Sequence, residues 1–314
     1  MPDDTDPVDN PRHYTFWKRE ALLYASSLLH DLPPGFAAPR HLGGEEGSSR
    51  VRVWLEDVFD TQPRWPLRRY VDAARALGAF NGRYVARPEF RDIPWLADQS
   101  SVLSYYASTN PRLQPAIDFL AEADRWADPR IVAALGMPLD LSAVGDVYAE
   151  EARWIEVLGT LPQALGHNDA FRDNLYARRS AGRQETVAFD WQLCGLSALG
   201  SELASLVDAS IIFFGYPPRR ADELERATFE AYRLGLRDVG IVPDENELRL
   251  AHRAAAVLRL GMITTAWLSW SLDEPDFAAD FWHHPAKAVT TTFAHVARLL
   301  EMRARQAREM VRGG

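Results

Sequence analysis

The segment from His167 to Asn174, with the sequence HNDAFRDN, constrains this chain more than any other. It has the spacing H-x-D-x-x-x-x-N, and a further aspartate, Asp190, follows between two aromatic residues. In phosphoryl transfer, one carboxylate orients the acceptor hydroxyl and takes its proton, while an asparagine and a second carboxylate hold Mg²⁺ against the nucleotide phosphates. The pattern therefore predicts a kinase-type site.

Two short strands are predicted between this loop and Asp190. Residues 175–177 and 186–189 have the apolar and β-branched composition of strands, and residues 180–182 are typical of a turn. Such a hairpin brings the end of its second strand back to the start of the first, and so brings Asp190 back to the loop. The alternative to a kinase-type site is an ordinary surface loop, because Asp and Asn are common in turns. The position of Asp190 at the end of the second strand favours the kinase-type site.

The chain resembles the aminoglycoside phosphotransferase and choline kinase group, small-molecule kinases with a protein-kinase-like fold, and most of all the bacterial phosphotransferase-enzyme members. The resemblance is specific at the loop and at Asp190, and many relatives have glycine where this chain has Asn168. The supporting segments run in family order over most of the chain: Trp17-Lys18-Arg19-Glu20 with Tyr24, Ala38-Pro39-Arg40, residues 53–58, residues 73–82, the loop, and Asp190-Trp191.

The resemblance implies a role for each matching residue of the loop. Asp169 would be the catalytic base, and Asn174 and Asp190 would be the Mg²⁺ ligands. His167 would be structural and would brace the loop.

The resemblance also implies an ATP site. Glu20 would be the helix carboxylate that pairs with a phosphate-binding lysine, although an ordinary surface glutamate is the alternative. Backbone groups around Glu56 and Val58 would form the hinge that meets adenine.

The phosphate-binding lysine of the group has no counterpart here. Lys18 and Lys287 are the only lysines, and Lys18 lies two residues before Glu20, a spacing at which helix side chains do not face each other. No glycine precedes Glu20, so the glycine-rich phosphate loop is missing too, and residues 1–13 are expected to be disordered or extended.

Three explanations for these missing parts remain open: a misplaced start codon, a natural truncation without catalytic power, and a lobe supplied by a partner. The misplaced start codon is favoured. In the chain as given, the first helix is expected to expose an apolar face that the missing strands would cover, which favours self-association or poor solubility.

We therefore predict an α+β, protein-kinase-like fold with a truncated small N-terminal lobe and a large, mainly helical C-terminal lobe. Residues 1–58 would form the remnant of the small lobe with the hinge, and residues 59–314 the helical lobe with the catalytic loop. Apolar periodicity predicts a first helix from near Trp17 to Pro33 and a second helix capped by Gly82. A turn over residues 43–49 is expected before a strand at residues 51–55, and helices over residues 222–237, 245–271 and 285–312.

Charge and composition exclude several classes of protein. The net charge of −9 argues against a general nucleic-acid binder and fits a cationic or neutral small substrate. No apolar run is long enough for a membrane span, and the acidic N-terminus does not resemble a secretory signal, so a cytoplasmic enzyme is expected. Cys194 is expected to be a buried small hydrophobe, and the Arg68-Arg69, Arg178-Arg179 and Arg219-Arg220 pairs to be solvated.

The substrate pocket is predicted to lie between the loop and the later helices. An aromatic cage for a quaternary ammonium group is one interpretation of its wall, and ordinary core packing is the more common one. The candidate wall residues are Trp267, Trp270, Phe281, Trp282, His283 and His284.

The leading hypothesis is an ATP- and Mg²⁺-dependent phosphotransferase that acts on a hydroxyl group of a small molecule. The alternative is a non-catalytic kinase-like protein that binds a ligand or partner, because the lysine and glycine loop are missing. A metal-dependent hydrolase using His167, Asp169 and Asp190 is a third hypothesis, which a lack of further converging histidines disfavours.

Overall fold

The computed structural model describes residues 10–48, 50–62, 64–104, 113–180 and 182–313. The helices are α1 Arg19–Ala25, α2 Leu67–Val85, α3 Gln99–Leu103, α4 Gln114–Ala121, α5 Pro129–Leu135, α6 Ser142–Ala149, α7 Glu151–Thr160, α8 Ser210–Ile212, α9 Ala221–Asp238, α10 Glu245–Asp273, α11 Pro275–Trp282 and α12 Ala286–Gly313. The strands are β1 Phe36–Ala37, β2 His41–Glu46, β3 Val51–Leu55, β4 Gln163–Gly166, β5 Leu175–Ser180, β6 Arg183–Ala188 and β7 Gly195–Ala198. A π-helix, Ala204–Ala209, leads into α8.

The strands form three small sheets, and one of them contains the hairpin that the sequence predicts. Strands β5 and β6 pair antiparallel with Leu175 opposite Ala188, and β1 adds to β6 in parallel. The Asn174 carbonyl accepts a hydrogen bond from the Phe189 N–H at 2.9 Å, so the pairing continues to the edge of the loop. The predicted turn includes Ala181, which lies outside the described residues.

The N-terminal part differs from the sequence prediction in two elements. Helix α1 ends at Ala25 and does not reach Pro33, because the Ser26 N–H and hydroxyl both donate to the Leu23 carbonyl and close the helix. Residues 43–46 lie in β2, where a turn was expected, because they pair antiparallel with β3.

The three long helices predicted in the second half of the chain are confirmed, with bounds that differ by at most two residues. Helix α10 begins at a capping residue, Asp244, whose side chain accepts from the Asn246 and Glu247 N–H groups. No described helix combines the length and the apolar character that crossing a membrane requires.

Helices α2 and α9 are in backbone contact, and glycines make this possible. A Cβ atom on Gly78 would lie 2.1 Å from the Tyr232 carbonyl oxygen, and one on Gly235 would lie 1.9 Å from the Arg75 carbonyl oxygen. The prediction that Gly82 caps α2 is wrong, since the helix continues to Val85. Gly82 instead leaves room for neighbouring side chains of the α9 region.

Arg69 corrects the expectation of solvated arginine pairs. It is buried, and its guanidinium donates to the Thr186 hydroxyl at 2.9 Å and to the Tyr176 carbonyl at 3.2 Å. It therefore ties α2 to both strands of the hairpin. Arg178 is half-buried and pairs with Glu185 at 2.9 Å, while Arg68, Arg179, Arg219 and Arg220 are exposed as expected.

We predict that Gly235→Ala destabilises the fold, because the new methyl group would overlap the Arg75 carbonyl oxygen. The free energy of unfolding should fall by about 1–3 kcal/mol or more, as in other overpacked interiors. Urea titration followed by circular dichroism measures the change.

The matched control is Gly145→Ala, in helix α6, where a Cβ atom would meet nothing within 4 Å. It should be neutral or stabilise by up to about 1 kcal/mol through the higher helix propensity of alanine. Equal effects of the two substitutions would contradict the backbone contact between α2 and α9.

Candidate active site

His167 fixes the shape of the loop from inside the protein. The ring is fully buried, its Nε2 donates to the Phe189 carbonyl at 2.6 Å, and its Nδ1 accepts from the Asp169 N–H at 3.2 Å. Burial lowers the pKa of His167 to about 4, which keeps the ring neutral, with one donor and one acceptor nitrogen. Both nitrogens are engaged, so His167 braces the loop and is a poor candidate for the metal ligand of a hydrolase.

Asn168 turns the loop through the left-handed region, with φ of 64°. Its N–H donates to Glu202 Oε1 at 2.6 Å, and its Nδ2 donates to the Leu193 carbonyl at 3.0 Å. Glycine adopts this conformation freely, and asparagine is among the few other residues that tolerate it. This explains why Asn can stand where many relatives of the resembled group have Gly.

Glu202 is a fully buried carboxylate behind the loop that the sequence analysis did not identify. Burial raises its pKa to about 7, and the hydrogen bond from the Asn168 N–H opposes that shift. Glu202 lies two residues after Gly200, where the chain turns with a positive φ. The pairing of β7 with β4 brings this part of the chain next to the loop.

The side chains of Asp169 and Asn174 are held together. Asn174 Nδ2 lies 3.0 Å from both the Asp169 carbonyl oxygen and Asp169 Oδ2, which leaves the Asn174 Oδ1 atom available for another contact. Burial raises the pKa of the Asp169 carboxyl group, and Arg259 opposes that shift with its positive charge.

Arg259 is a site residue that the motif analysis missed. Its Nη2 lies 3.4 Å from Asp169 Oδ1, and its Nη1 donates to the Asn168 carbonyl and to Ser205 Oγ. A signal for it exists in the sequence, since it is the single charged residue between Ala254 and Trp267. A charge in such an apolar helix requires a buried partner.

Asp190 stands at the end of the hairpin in a left-handed conformation, with φ of 53°. Its side chain is exposed, and no basic side chain of the described residues pairs with it. Trp191, the next residue, is fully buried and packs 4.5 Å from the His167 ring, centroid to centroid. The buried tryptophan therefore fixes the position of the exposed aspartate.

Glu20 lies close to Asp190, and no lysine of the described residues pairs with it. Its Oε1 accepts from the Trp191 N–H at 3.2 Å, and burial, reinforced by the nearby Asp190 charge, raises the pKa of Glu20. Lys18 points elsewhere and pairs with Glu46 at 2.5 Å. Lys287 lies in α12.

Arg19 holds the segment before α1 against this site. The side chain is fully buried and donates to the main-chain carbonyls of Pro11, His13, Tyr14, Trp95 and Gln192. The expectation of a disordered or extended leader is therefore wrong for the described residues 10–13, which fold back in turns.

A cavity of about 390 Å³ opens at this point, and Asp169, Asp190 and Arg259 line it. Asn174 is not among its lining residues, although it contacts Asp169. Of the predicted wall residues, Trp267 alone lines the cavity. Trp282 packs behind Trp267, at 4.9 Å between ring centroids. Trp270, Phe281, His283 and His284 lie outside the lining.

The two predicted hinge residues lie away from this cavity. The Glu56 carboxylate pairs with Arg178 at 3.2 Å, and the Glu56 N–H donates to the Arg40 carbonyl. Val58 is buried. Among the described residues, the Glu56 carbonyl and the Val58 N–H have no hydrogen-bond partner.

Cys194 is fully buried, as predicted, and burial raises the pKa of its thiol to about 12. It behaves as a small hydrophobe and not as a reactive thiol.

Comparison with known proteins decides the family. Residues 27–238, which include the loop and Asp190, match the sequence profile of the phosphotransferase enzyme family. The chain belongs to this family. No curated protein sequence matches the chain.

A solved structure shares the fold of this phosphotransferase-family protein. A microcompartment-associated aminopropanol kinase superposes with a TM-score of 0.53 at 16% identity, covering 88% of this chain and 78% of that one. This confirms the predicted α+β, protein-kinase-like fold. An amicoumacin kinase has a TM-score of 0.47 at 16% identity, with 86% and 76% covered. An aminoglycoside phosphotransferase from Streptomyces rimosus has a TM-score of 0.43 at 16% identity, with 81% and 85% covered.

We predict that Asn168→Ala destabilises this family member more than Asn168→Gly does. Both substitutions lose the bond to Leu193, but alanine also places a Cβ atom in a left-handed conformation, which costs about 1–2 kcal/mol. The difference between the two variants in the free energy of unfolding, measured in urea, isolates the backbone effect. If the alanine variant is as stable as the glycine variant, the left-handed conformation at position 168 does not contribute to the stability difference, which would contradict this explanation.

Proposed function

We propose that this protein is an ATP- and Mg²⁺-dependent phosphotransferase that acts on a hydroxyl group of a small molecule. The observation that supports this most is the meeting of the Asp169 and Asp190 carboxylates at one cavity, with Asn174 bonded to Asp169. The coarser assignment, a member of a phosphotransferase family, is already given by the sequence match.

Asp169 is the proposed catalytic base. Burial raises its pKa and makes the carboxylate a stronger base, while the positive charge of Arg259 opposes that shift and favours the ionised form. The hydrogen bond from Asn174 and the contact with Arg259 hold both oxygens in place, so that an acceptor hydroxyl in the cavity can donate to one of them. A base fixed in this way takes the proton as the hydroxyl attacks.

Asn174 and Asp190 are the proposed Mg²⁺ ligands. They fit this ion, because Mg²⁺ takes oxygen ligands and uses few protein groups. The Asp190 carboxylate is exposed and unpaired among the described residues, and Asn174 uses its nitrogen toward Asp169, which directs Oδ1 elsewhere. When bound, the metal supplies positive charge to the phosphate oxygens.

Adenine is proposed to meet the chain at the Glu56 carbonyl and the Val58 N–H, whose hydrogen-bonding capacity is unused within the described residues.

The proposal also keeps the division of the chain at Val58, between a small N-terminal lobe and a helical lobe. Support comes from Thr61, whose N–H and hydroxyl both bind the Ala177 carbonyl at 2.9 Å and so attach the chain after Val58 to the hairpin of the helical lobe.

A non-catalytic kinase-like protein is the second candidate, and one observation favours it. Glu20 lies beside Asp190, so two carboxylates face the region of the phosphates. Lys18, the residue before α1, is paired with Glu46. Without a cation there, the α- and β-phosphates lack their usual positive partner.

Replacing Asp169 with Asn should lower the rate of phosphate transfer by about 10²–10⁴-fold, because the amide can still bind the hydroxyl but cannot take its proton. Transfer from ATP to a panel of hydroxyl compounds, followed by ADP release, measures the rate. The control is Asp173→Asn, in the same loop, where the exposed carboxylate pairs with Arg172. Retention of more than about a tenth of the rate by Asp169→Asn would exclude it as the base.

ATP with Mg²⁺ should bind weakly, with a dissociation constant above about 1 μM, and Asp190→Asn should remove the Mg²⁺-dependent part of the binding. Calorimetric titration of the full chain, with Asp173→Asn as the control, measures both. Sub-micromolar affinity would show that another group replaces the lysine. No Mg²⁺-dependent binding at all would favour the non-catalytic candidate.

A further inference from the structure

The walls of the cavity at Asp169 are mainly apolar. Only three charged side chains of the described residues line it: Asp169, Asp190 and Arg259. The apolar part of the wall is formed by Phe171, Ile212, Phe213, Leu260, Ile263 and Trp267.

Each of the three charged groups has a partner or a proposed role, so none is available to pair with an ionic substrate. Arg259 contacts Asp169, and its Nη1 donates to the Asn168 carbonyl and to Ser205. Asp190 is the proposed metal ligand. Moving a charged group into such a cavity would remove its hydration without giving it an ionic partner, which is unfavourable.

The backbone beside the cavity adopts a strained conformation that holds aromatic rings at its rim. Phe214 has φ of 57°, which is rare for a bulky side chain, and it stacks on His284 at 4.2 Å between ring centroids. The preceding residue, Phe213, is 36% exposed and lies 5.1 Å from Phe171 and 6.1 Å from Trp267, between centroids. Small-molecule pockets are lined predominantly by hydrophobic and aromatic side chains, and these rings add such surface to the cavity.

We propose that the acceptor is a neutral alcohol with a flat, apolar body, and not a polycationic aminosugar or a quaternary ammonium alcohol. The body would lie against Phe213 and Trp267, and the hydroxyl would reach Asp169. This inference rests on the proposed phosphotransferase function, since it assigns the substrate class of the same site.

The test measures binding to the full chain by calorimetry, in saturating Mg²⁺ and without nucleotide, so that Asp190 has its proposed cation. The probes are 2-(2-naphthyl)ethanol, choline and streptomycin. The neutral alcohol should bind at least about tenfold more tightly than either cation. Trp267→Ala should weaken its binding by about tenfold, the effect of losing one aromatic contact.

Trp270→Ala is the matched control, because Trp270 is also half-buried on α10 but lies outside the cavity. It should leave binding unchanged. If Trp267→Ala does not fold, as judged by thermal unfolding, Ile263→Asp replaces it. A carboxylate at that position of the wall should weaken binding of the neutral alcohol and strengthen binding of choline.

The outcomes separate the two proposals. Tighter binding of choline or streptomycin, no binding of the neutral alcohol, or equal effects of the two tryptophan substitutions would overturn the substrate class, whether or not the protein transfers phosphate. Binding of the neutral alcohol as expected, with no transfer from ATP to it or to any other acceptor, would overturn the phosphotransferase function and leave the ligand class of the cavity standing.

Discussion

The Arg259 guanidinium is the interaction on which the arrangement of the loop depends. It sits on a long apolar helix, where its charge requires acceptors, and it finds them in the Asn168 carbonyl, Ser205 and Asp169. One side chain thus joins α10, the π-helix and the loop. Its charge also opposes the effect of burial on the pKa of Asp169, so the contact that positions the loop also favours the ionised form of the proposed base.

The N-terminal segment is joined to the site by two charged side chains with different partners. Among the described residues, the hydrogen-bond acceptors of Arg19 are all main-chain carbonyl oxygens, so the segment before α1 gathers around a buried cation. Glu20, the next residue, accepts from the Trp191 N–H and thereby contacts the residue after Asp190. Helix α1 is short, yet it orders both the approach to the cavity and the aspartate at its edge.

Family membership and cavity chemistry answer different questions about this protein. The sequence match assigns a phosphotransferase family and the superposition assigns a protein-kinase-like fold. Neither identifies the acceptor, because one fold can carry many specificities. The proposal of a neutral apolar alcohol comes instead from this chain's own side chains, from the few charges around the cavity and from the aromatic residues Phe213 and Trp267.

The sequence alone determined the features that depend on neighbours along the chain. The hairpin after the loop and the three long helices follow from local composition and periodicity, and they were predicted to within a few residues. Features that depend on distant partners were decided by the tertiary structure. In the sequence, Gly82 looks like a helix cap, and only the packing of the α9 region against it shows otherwise. Arg69 looks like a surface residue, and only the hairpin that covers it shows that it is buried. Arg259 acquires its role only when α10 crosses behind a loop 90 residues earlier in the chain. The physical reason is that the cost of burying a charge or a polar group is set by the atoms around it in space, which spacing along the chain does not specify.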